Sequence, residues 1–256
     1  MGGRAGVDFL KVEGLGNDFI LIPGDVVPRR DDVSRWCERR TGIGADGVLT
    51  ANVTGQGRVR MRYWNADGGE VEMCGNGLRC VALVARRLGW VDSDDFVIES
   101  PVGDHRVHIG PESVRAFVGK PHQFRTTILK VAGHDVYPVG IGNPHAVLFV
   151  EDVESAPVAE TGPTIENDPL FPERTNVEFV QVTGDDRITA RVWERGVGET
   201  LASGTGATAA AYAAHARGLV TAPVVVTLRG GELLVEFDDE GAWMDGPASI
   251  VFSGSV

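Results

Sequence analysis

RYWNADGGEVEMCGNGLRCVALVARRLG, residues 62–89, reads as a short alternating strand ending at Trp64, a glycine-rich turn, and a stretch of helix formers. The same grammar returns in RVWERGVGETLASGTGATAAAYAAHARG, residues 191–218, at an offset of 129. Nine of the 28 positions are identical: Arg62/Arg191, Trp64/Trp193, Gly69/Gly198, Glu70/Glu199, Gly75/Gly204, Gly77/Gly206, Ala82/Ala211, Ala85/Ala214 and Gly89/Gly218. A second echo, Leu15-Gly16-Asn17 against Ile141-Gly142-Asn143, falls at an offset of 126, near half of the 256 residues. Chance alignment of Gly- and Ala-rich segments is the competing explanation, but shared Arg, Trp and Glu in one ungapped register count against it. The chain reads as two similar halves.

Residues 80–88 and 207–216 are apolar around most of a helical circumference, which predicts two buried helices. Gly89 and Gly218 follow basic residues in the last turn and can supply left-handed caps. Elsewhere the pattern predicts strands at 19–22, 59–64, 96–99, 146–150, 177–182, 188–193, 224–226 and 233–237, punctuated by turn residues. Many strands, few helices and no βαβ rhythm point to an α+β chain of two domains, each a mostly antiparallel sheet around a buried helix. The boundary is placed within 115–135, giving domains 1–120 and 121–256, with a late C-terminal strand free to cross back.

Twenty-four Lys and Arg against 36 Asp and Glu give a formal charge of −12, and the basic residues form no run, so nucleic acid is not an expected partner. No apolar stretch approaches the roughly 18 residues that span a bilayer, and the N-terminal stretch lacks the apolar core of a signal peptide. A cytoplasmic protein with no membrane partner is expected. Three cysteines without paired spacing favour free thiols, and scattered histidines give no metal-ligand pattern. His105 and His108, three apart in a strand, are expected at the surface; Cys37 and Cys80 are expected to serve packing.

Cys74 differs. It stands just before a helix whose first amides lack intrahelical acceptors, with glycines that let a ligand approach the backbone. Gly75 and Asn76 therefore frame an anion site, and Ser203-Gly204-Thr205-Gly206 repeats it. A thiol at a helix N-terminus loses its proton more readily, making Cys74 a candidate base or nucleophile. Neither turn has a Walker lysine or a dinucleotide-site context, so the anion is not a nucleotide phosphate. Polar residues also gather in turns: Asn17, Asn65, Asn143 with His145, Asn176, and Glu194 with Arg195. Asn side chains both donate and accept, which suits a zwitterion; each is also an ordinary turn residue.

GLGNDF at 14–19, GIGADG at 42–47, NADG and MCGNG within 65–77, GNPH at 142–145, RTNVEF at 174–179 and WERGVGET at 193–200 occur in the order and spacing of one family. Together they make the chain resemble diaminopimelate epimerase, nearly end to end. The resemblance implies two pseudo-symmetric domains, each a barrel-like sheet around a central helix, with the active site in the cleft between them. It implies a cofactor-independent reaction on a small amino acid in which a cysteine thiolate removes the α-proton and a second cysteine returns one from the opposite face. Cys74 matches the first. Amides around Gly75, Asn76, Gly204 and Thr205 would hold the α-carboxylate. Asn17, Asn65, Asn143, Asn176, Glu194 and Arg195 would bind substrate, and His145 would assist. A homodimer is left open.

The second family cysteine belongs at 203, where this chain has Ser203. A hydroxyl is too weakly acidic to furnish a resting base near neutral pH, although it can relay a proton. Impaired epimerisation is the expectation. The competing accounts are a substitution made to disable or trap the enzyme, a natural epimerase that tolerates serine, a same-fold enzyme with dehydratase or other epimerase chemistry, and an inactive amino-acid-binding relative.

Overall fold

A computed structural model describes residues 6–124 and 128–256. Its contacts divide into two units, one running to Ala116 and resuming over Pro247–Val256, the other Phe117–Gly246. Of the segment 115–135, residues 125–127 lie outside the described part, as do the first five residues of the N-terminal stretch.

The first unit runs β1 (Asp8–Gly14), β2 (Asn17–Pro23), α1 (Arg30–Cys37), β3 (Gly47–Gly55), β4 (Arg58–Asn65), β5 (Glu70–Val71), α2 (Gly75–Arg87), β6 (Asp95–Ser100), β7 (Gly103–Ile109) and the start of β8 (Val114–Gly119). The second contains β9 (His122–Gln123), β10 (Leu129–Val131), β11 (His134–Gly140), β12 (Pro144–Phe149), α3 (Val158–Glu166), β13 (Asn176–Gly184), β14 (Arg187–Glu194), β15 (Gly198–Thr200), α4 (Gly204–Ala216), β16 (Val224–Leu228), β17 (Gly231–Phe237) and β18 (Ala242–Gly246). The final strand, β19 (Ser249–Ser255), pairs antiparallel with β1.

The duplication extends to register. β3 and β4 pair antiparallel with an irregularity between Val53 and Gly55, and β13 and β14 do so with one between Val182 and Gly184. β2 lies parallel to β3 with Phe19 opposite Gly47, as β12 lies parallel to β13 with His145 opposite Asn176. The identities in the repeat have physical causes. Arg62 grips the Glu70 carboxylate with two bonds of 2.8 and 2.9 Å, and Arg191 grips Glu199 with bonds of 2.8 and 3.1 Å, so each pair clamps a short strand to its long neighbour. Trp64 and Trp193 lie on the outer sheet faces; Trp64 packs with Val33 and Trp36, and Trp193 lies beneath Gly162 of α3.

The inner faces close on α2 and α4. Ala207, Ala209, Ala210, Ala211, Ala213 and Ala214 are all fully buried, and their small side chains let β11, β12, β13, β14, β16, β17 and β18 approach α4. α2 packs likewise against β1, β2, β3, β4, β7 and β19. Both helices end at glycines with φ near 67° (Gly89) and 68° (Gly218), the left-handed cap. One buried residue of α2 is charged: Arg79 donates from Nε to the Pro247 carbonyl at 3.1 Å and from Nη2 to Asn76 Oδ1 at 3.0 Å, tying the returning C-terminal segment to the helix.

Two expectations need correction. The βαβ rhythm is present: β2–α1–β3, β4–α2–β6, β12–α3–β13 and β14–α4–β16 each join parallel strands through a helix, although antiparallel pairs predominate. A crossover is a property of pairing, which local periodicity does not encode. His105 is buried, its Nε2 2.8 Å from Ser100 Oγ, whereas His108 is exposed beside Asp95. An odd spacing on a strand sends two side chains to opposite faces.

Candidate active site

Cys74 and Ser203 hold the same position in the two halves. Each is the extended N-cap of its helix, with φ −140° and ψ 109° at Cys74 and φ −135° and ψ 121° at Ser203. Each side chain accepts from the amide three residues on: Cys74 Sγ from Gly77 N at 3.3 Å, Ser203 Oγ from Gly206 N at 3.2 Å. The sulfur and the oxygen thus sit among helix-end amides whose dipole favours negative charge. Cys74 is half-buried, while Cys37 and Cys80 are fully enclosed. Burial pushes the Cys37 thiol up to about 12 and raises Cys80 as well, so these two are inert packing groups.

In the first unit a polar chain leads away from the α2 N-terminus. Asn76 Nδ2 donates to Asn17 Oδ1 at 3.2 Å, and Asn17 Nδ2 donates to Asp46 Oδ2 at 2.7 Å. Arg39 bridges Asp46 and Asp18 at 2.6 and 2.7 Å, and buried Lys11 reaches Asp18 at 2.5 Å and the Gly44 carbonyl. Burial alone would raise the Asp18 carboxyl, but bonds from Arg39 and Lys11 outweigh it and hold it below its ordinary value. Asn65 stands apart from this chain, closing β4 opposite Gly47 and carrying the turn to Gly69.

Asp18→Asn removes the charge that Lys11 faces, and we expect a loss of about 3 kcal/mol, the lower end for a broken buried pair because Arg39 is exposed. A depressed folded pKa confers stability above the unfolded value, near 3.9, that disappears as pH falls through the folded one. Urea unfolding should therefore separate the proteins at pH 7 and bring them together as the pH falls through the depressed folded value.

The second unit braces its turns differently. Asn176, buried at the start of β13, accepts from Arg195 N at 2.9 Å and donates to the Pro144 carbonyl at 3.1 Å. Glu166 accepts from Gly196 N at 2.9 Å, Trp193 Nε1 at 2.7 Å and Arg174 at 3.1 Å. The Arg195 guanidinium donates to the Glu173 carbonyl at 3.0 Å, and Glu194 accepts from Thr200 Oγ1 at 2.7 Å. His145 is wholly buried, with Nδ1 2.6 Å from Glu178 Oε1 and Nε2 2.8 Å from Asn143 Oδ1. Asn143 also lines a cavity of about 530 Å³ that includes His122, Phe171 and Arg174.

Thus Asn17 and Asn76 meet Cys74's helix, Asn143 and His145 meet through one hydrogen bond, and Asn176 joins Arg195. The residues that organise them, Asp46, Arg39, Glu166 and Glu178, were not anticipated as site groups. Asp46 and Glu178 lie inside the GIGADG and RTNVEF stretches, and the offset of 129 sets Glu178 against Leu49, a polar-for-apolar exchange visible in the sequence.

A profile of the family described as diaminopimelate epimerase matches residues 9–122 and 137–251. The chain belongs to the diaminopimelate epimerase family. It is 42% identical to the diaminopimelate epimerase of Moorella thermoacetica over 275 residues, covering 96% of this chain and 98% of that one. It is 43% identical to that of Erythrobacter litoralis over 260 residues, covering 97% of each. A hydroxyproline epimerase from Agrobacterium vitis, crystallised with trans-4-hydroxy-L-proline, shares the fold with a TM-score of 0.75 at 14% identity, over 100% of this chain and 94% of that chain. A Bacillus anthracis phenazine biosynthesis protein of the PhzF family does so with a TM-score of 0.72 at 16% identity, over 99% of each. Among the described residues no helix is long and apolar enough to cross a membrane.

Proposed function

We propose that this member of the family interconverts LL- and meso-diaminopimelate by proton transfer at the α-carbon, slowly, with Cys74 as the competent base and Ser203 in the place of its partner. The observation that carries the reading is the matched pair of N-caps, one a thiol and one a hydroxyl, each held by an amide at 3.3 and 3.2 Å. Two-base chemistry needs one group to take the α-proton and another to deliver one from the opposite face. The carbanion's charge spreads onto the α-carboxylate, and the helix-end amides of Gly75, Asn76, Gly204 and Thr205 are the groups assigned to hold it. No step here calls on a cofactor or a metal. Asn17, Asn65, Asn143, Asn176, Glu194 and Arg195 bind the rest of the amino acid in this reading, and His145 assists. A small amino acid is the partner, and a reducing cytoplasm suits three free thiols.

Ser203 favours one second reading: a reaction on the same carbanion that ends in elimination, which would release a keto acid or imine instead of the inverted amino acid. Arg195 separates diaminopimelate from simpler amino acids. If its guanidinium meets the distal carboxylate, Arg195→Met should weaken diaminopimelate binding about 10- to 150-fold, the equivalent of a charge-assisted contact of roughly 1.5–3 kcal/mol. Alanine, with no second carboxylate, should bind almost unchanged. Calorimetry on the folded variant reads both; equal losses for the two ligands would mark Arg195 as a brace of its turn and remove the case for diaminopimelate.

A further inference from the structure

The duplicated fold contains its own control for one buried pair. By strand register His145 corresponds to Phe19, and Glu178 to Leu49. All four are fully buried. A Cβ placed on Gly77 would stand 3.1 Å from Leu49 Cδ2, and one placed on Gly206 would stand 3.0 Å from Glu178 Oε1 and 3.1 Å from Ser203 Oγ. The first unit shows that this fold needs only apolar volume beneath the helix N-terminus. The second puts an imidazole and a carboxyl there, at the cost of removing both from water. Such a replacement calls for a use, and the hydrogen bonds indicate which.

Asn143 Oδ1 can only accept, so the proton between it and His145, across 2.8 Å, belongs to Nε2. Nδ1 and Glu178 Oε1, 2.6 Å apart, then share a second proton. The pair is therefore neutral as a whole. Glu178 Oε2 is buried with no partner, a place that suits the carbonyl oxygen of a carboxylic acid and penalises a carboxylate. Burial also raises the Glu178 carboxyl, against the pull of His145, the titratable group that faces it. With the shared proton on the carboxyl, its O–H donates to Nδ1, Nε2–H donates to Asn143, and the Asn143 carbonyl is turned inward. Its two N–H donors are left for the cavity that Asn143 lines.

We propose that Glu178 is a positioning residue: it keeps the proton of His145 on Nε2, His145 holds Asn143 by its carbonyl, and the Asn143 amide is thereby presented as a donor to an acceptor oxygen of the substrate. Asn17 occupies the corresponding turn of the first unit but is oriented by the Asp46 carboxylate, which takes its N–H instead. Asn76 in turn donates to the Asn17 carbonyl, so the two matched asparagines are held by different partners. The substrate side of the proposal rests on the amino-acid reading above; the tautomer does not.

Long-range proton–nitrogen NMR on the whole protein reads the tautomer without any ligand. His145 in the native chain should carry its proton on Nε2, the nitrogen that faces Asn143 Oδ1. Glu178→Gln can still donate an N–H to Nδ1 and should keep that tautomer, whereas Glu178→Leu, the side chain used at position 49, should release it. Calorimetry with diaminopimelate should follow the same order, near-native affinity for Glu178→Gln and about a 5- to 10-fold loss for Glu178→Leu, the usual worth of one hydrogen bond. An Nδ1–H tautomer in the native protein would overturn the proposal, as would a folded Glu178→Leu protein with an unchanged tautomer. If the leucine variant fails to fold, the native and glutamine tautomers still decide. Should native protein not bind diaminopimelate, the substrate reading falls while the imidazole signals continue to judge Glu178.

Discussion

Ser203→Cys is expected to raise diaminopimelate epimerisation by at least about a hundredfold, since a positioned acid–base group contributes roughly 10² to 10⁴. Position 203 shares the local backbone geometry of position 74. It is an N-cap with the backbone angles of Cys74, and its oxygen occupies the same relation to Gly206 N that the Cys74 sulfur has to Gly77 N. The hydroxyl gives a good cap but a poor base, so the substitution changes chemistry with little change of structure. Initial rates measured by a coupled assay or by circular dichroism decide. A folded Ser203→Cys protein with no gain in turnover would eliminate the slow-epimerase reading and promote elimination chemistry.

The second large effect lies at Cys74. Cys74→Ala removes both the proposed base and the α2 cap, and α-hydrogen exchange of diaminopimelate should fall about 10² to 10⁴-fold. Loss of a cap costs about 1 kcal/mol, too little to unfold a domain of this size, so thermal unfolding distinguishes the two consequences. Cys37→Ala and Cys80→Ala bear on packing alone, because burial raises both thiols. Exchange that survived in Cys74→Ala while vanishing in a folded Cys37 or Cys80 variant would move the base to the wrong cysteine for this account.

What the sequence made legible was local. The strand–Trp–glycine–helix repeat has a period and a composition that survive without coordinates, and the helix ends at Gly89 and Gly218 follow from cap chemistry. The outer helices α1 and α3 were not legible: they are eight and nine residues long, one is strongly charged, and the other carries Gly162 and Pro163 inside it. Parallel pairing across them is a long-range fact with no local signature. The site divides the same way. Cys74 and Ser203 were found because glycines frame them. Glu178 and Glu166 were missed because a carboxylate in a strand or a short helix reads as a solvent-facing residue until tertiary structure buries it.

The most direct test of the account is the isotopic fate of diaminopimelate incubated in deuterium oxide with the native protein. One thiol that removes the α-proton and returns a deuteron from the same side gives exchange without inversion; a competent partner on the other face is needed for both. The account predicts α-deuterium appearing faster than the inverted isomer, the two rates converging in Ser203→Cys and exchange falling about 10² to 10⁴-fold in Cys74→Ala. Undeuterated diaminopimelate after long incubation with folded, ligand-binding native protein would contradict it.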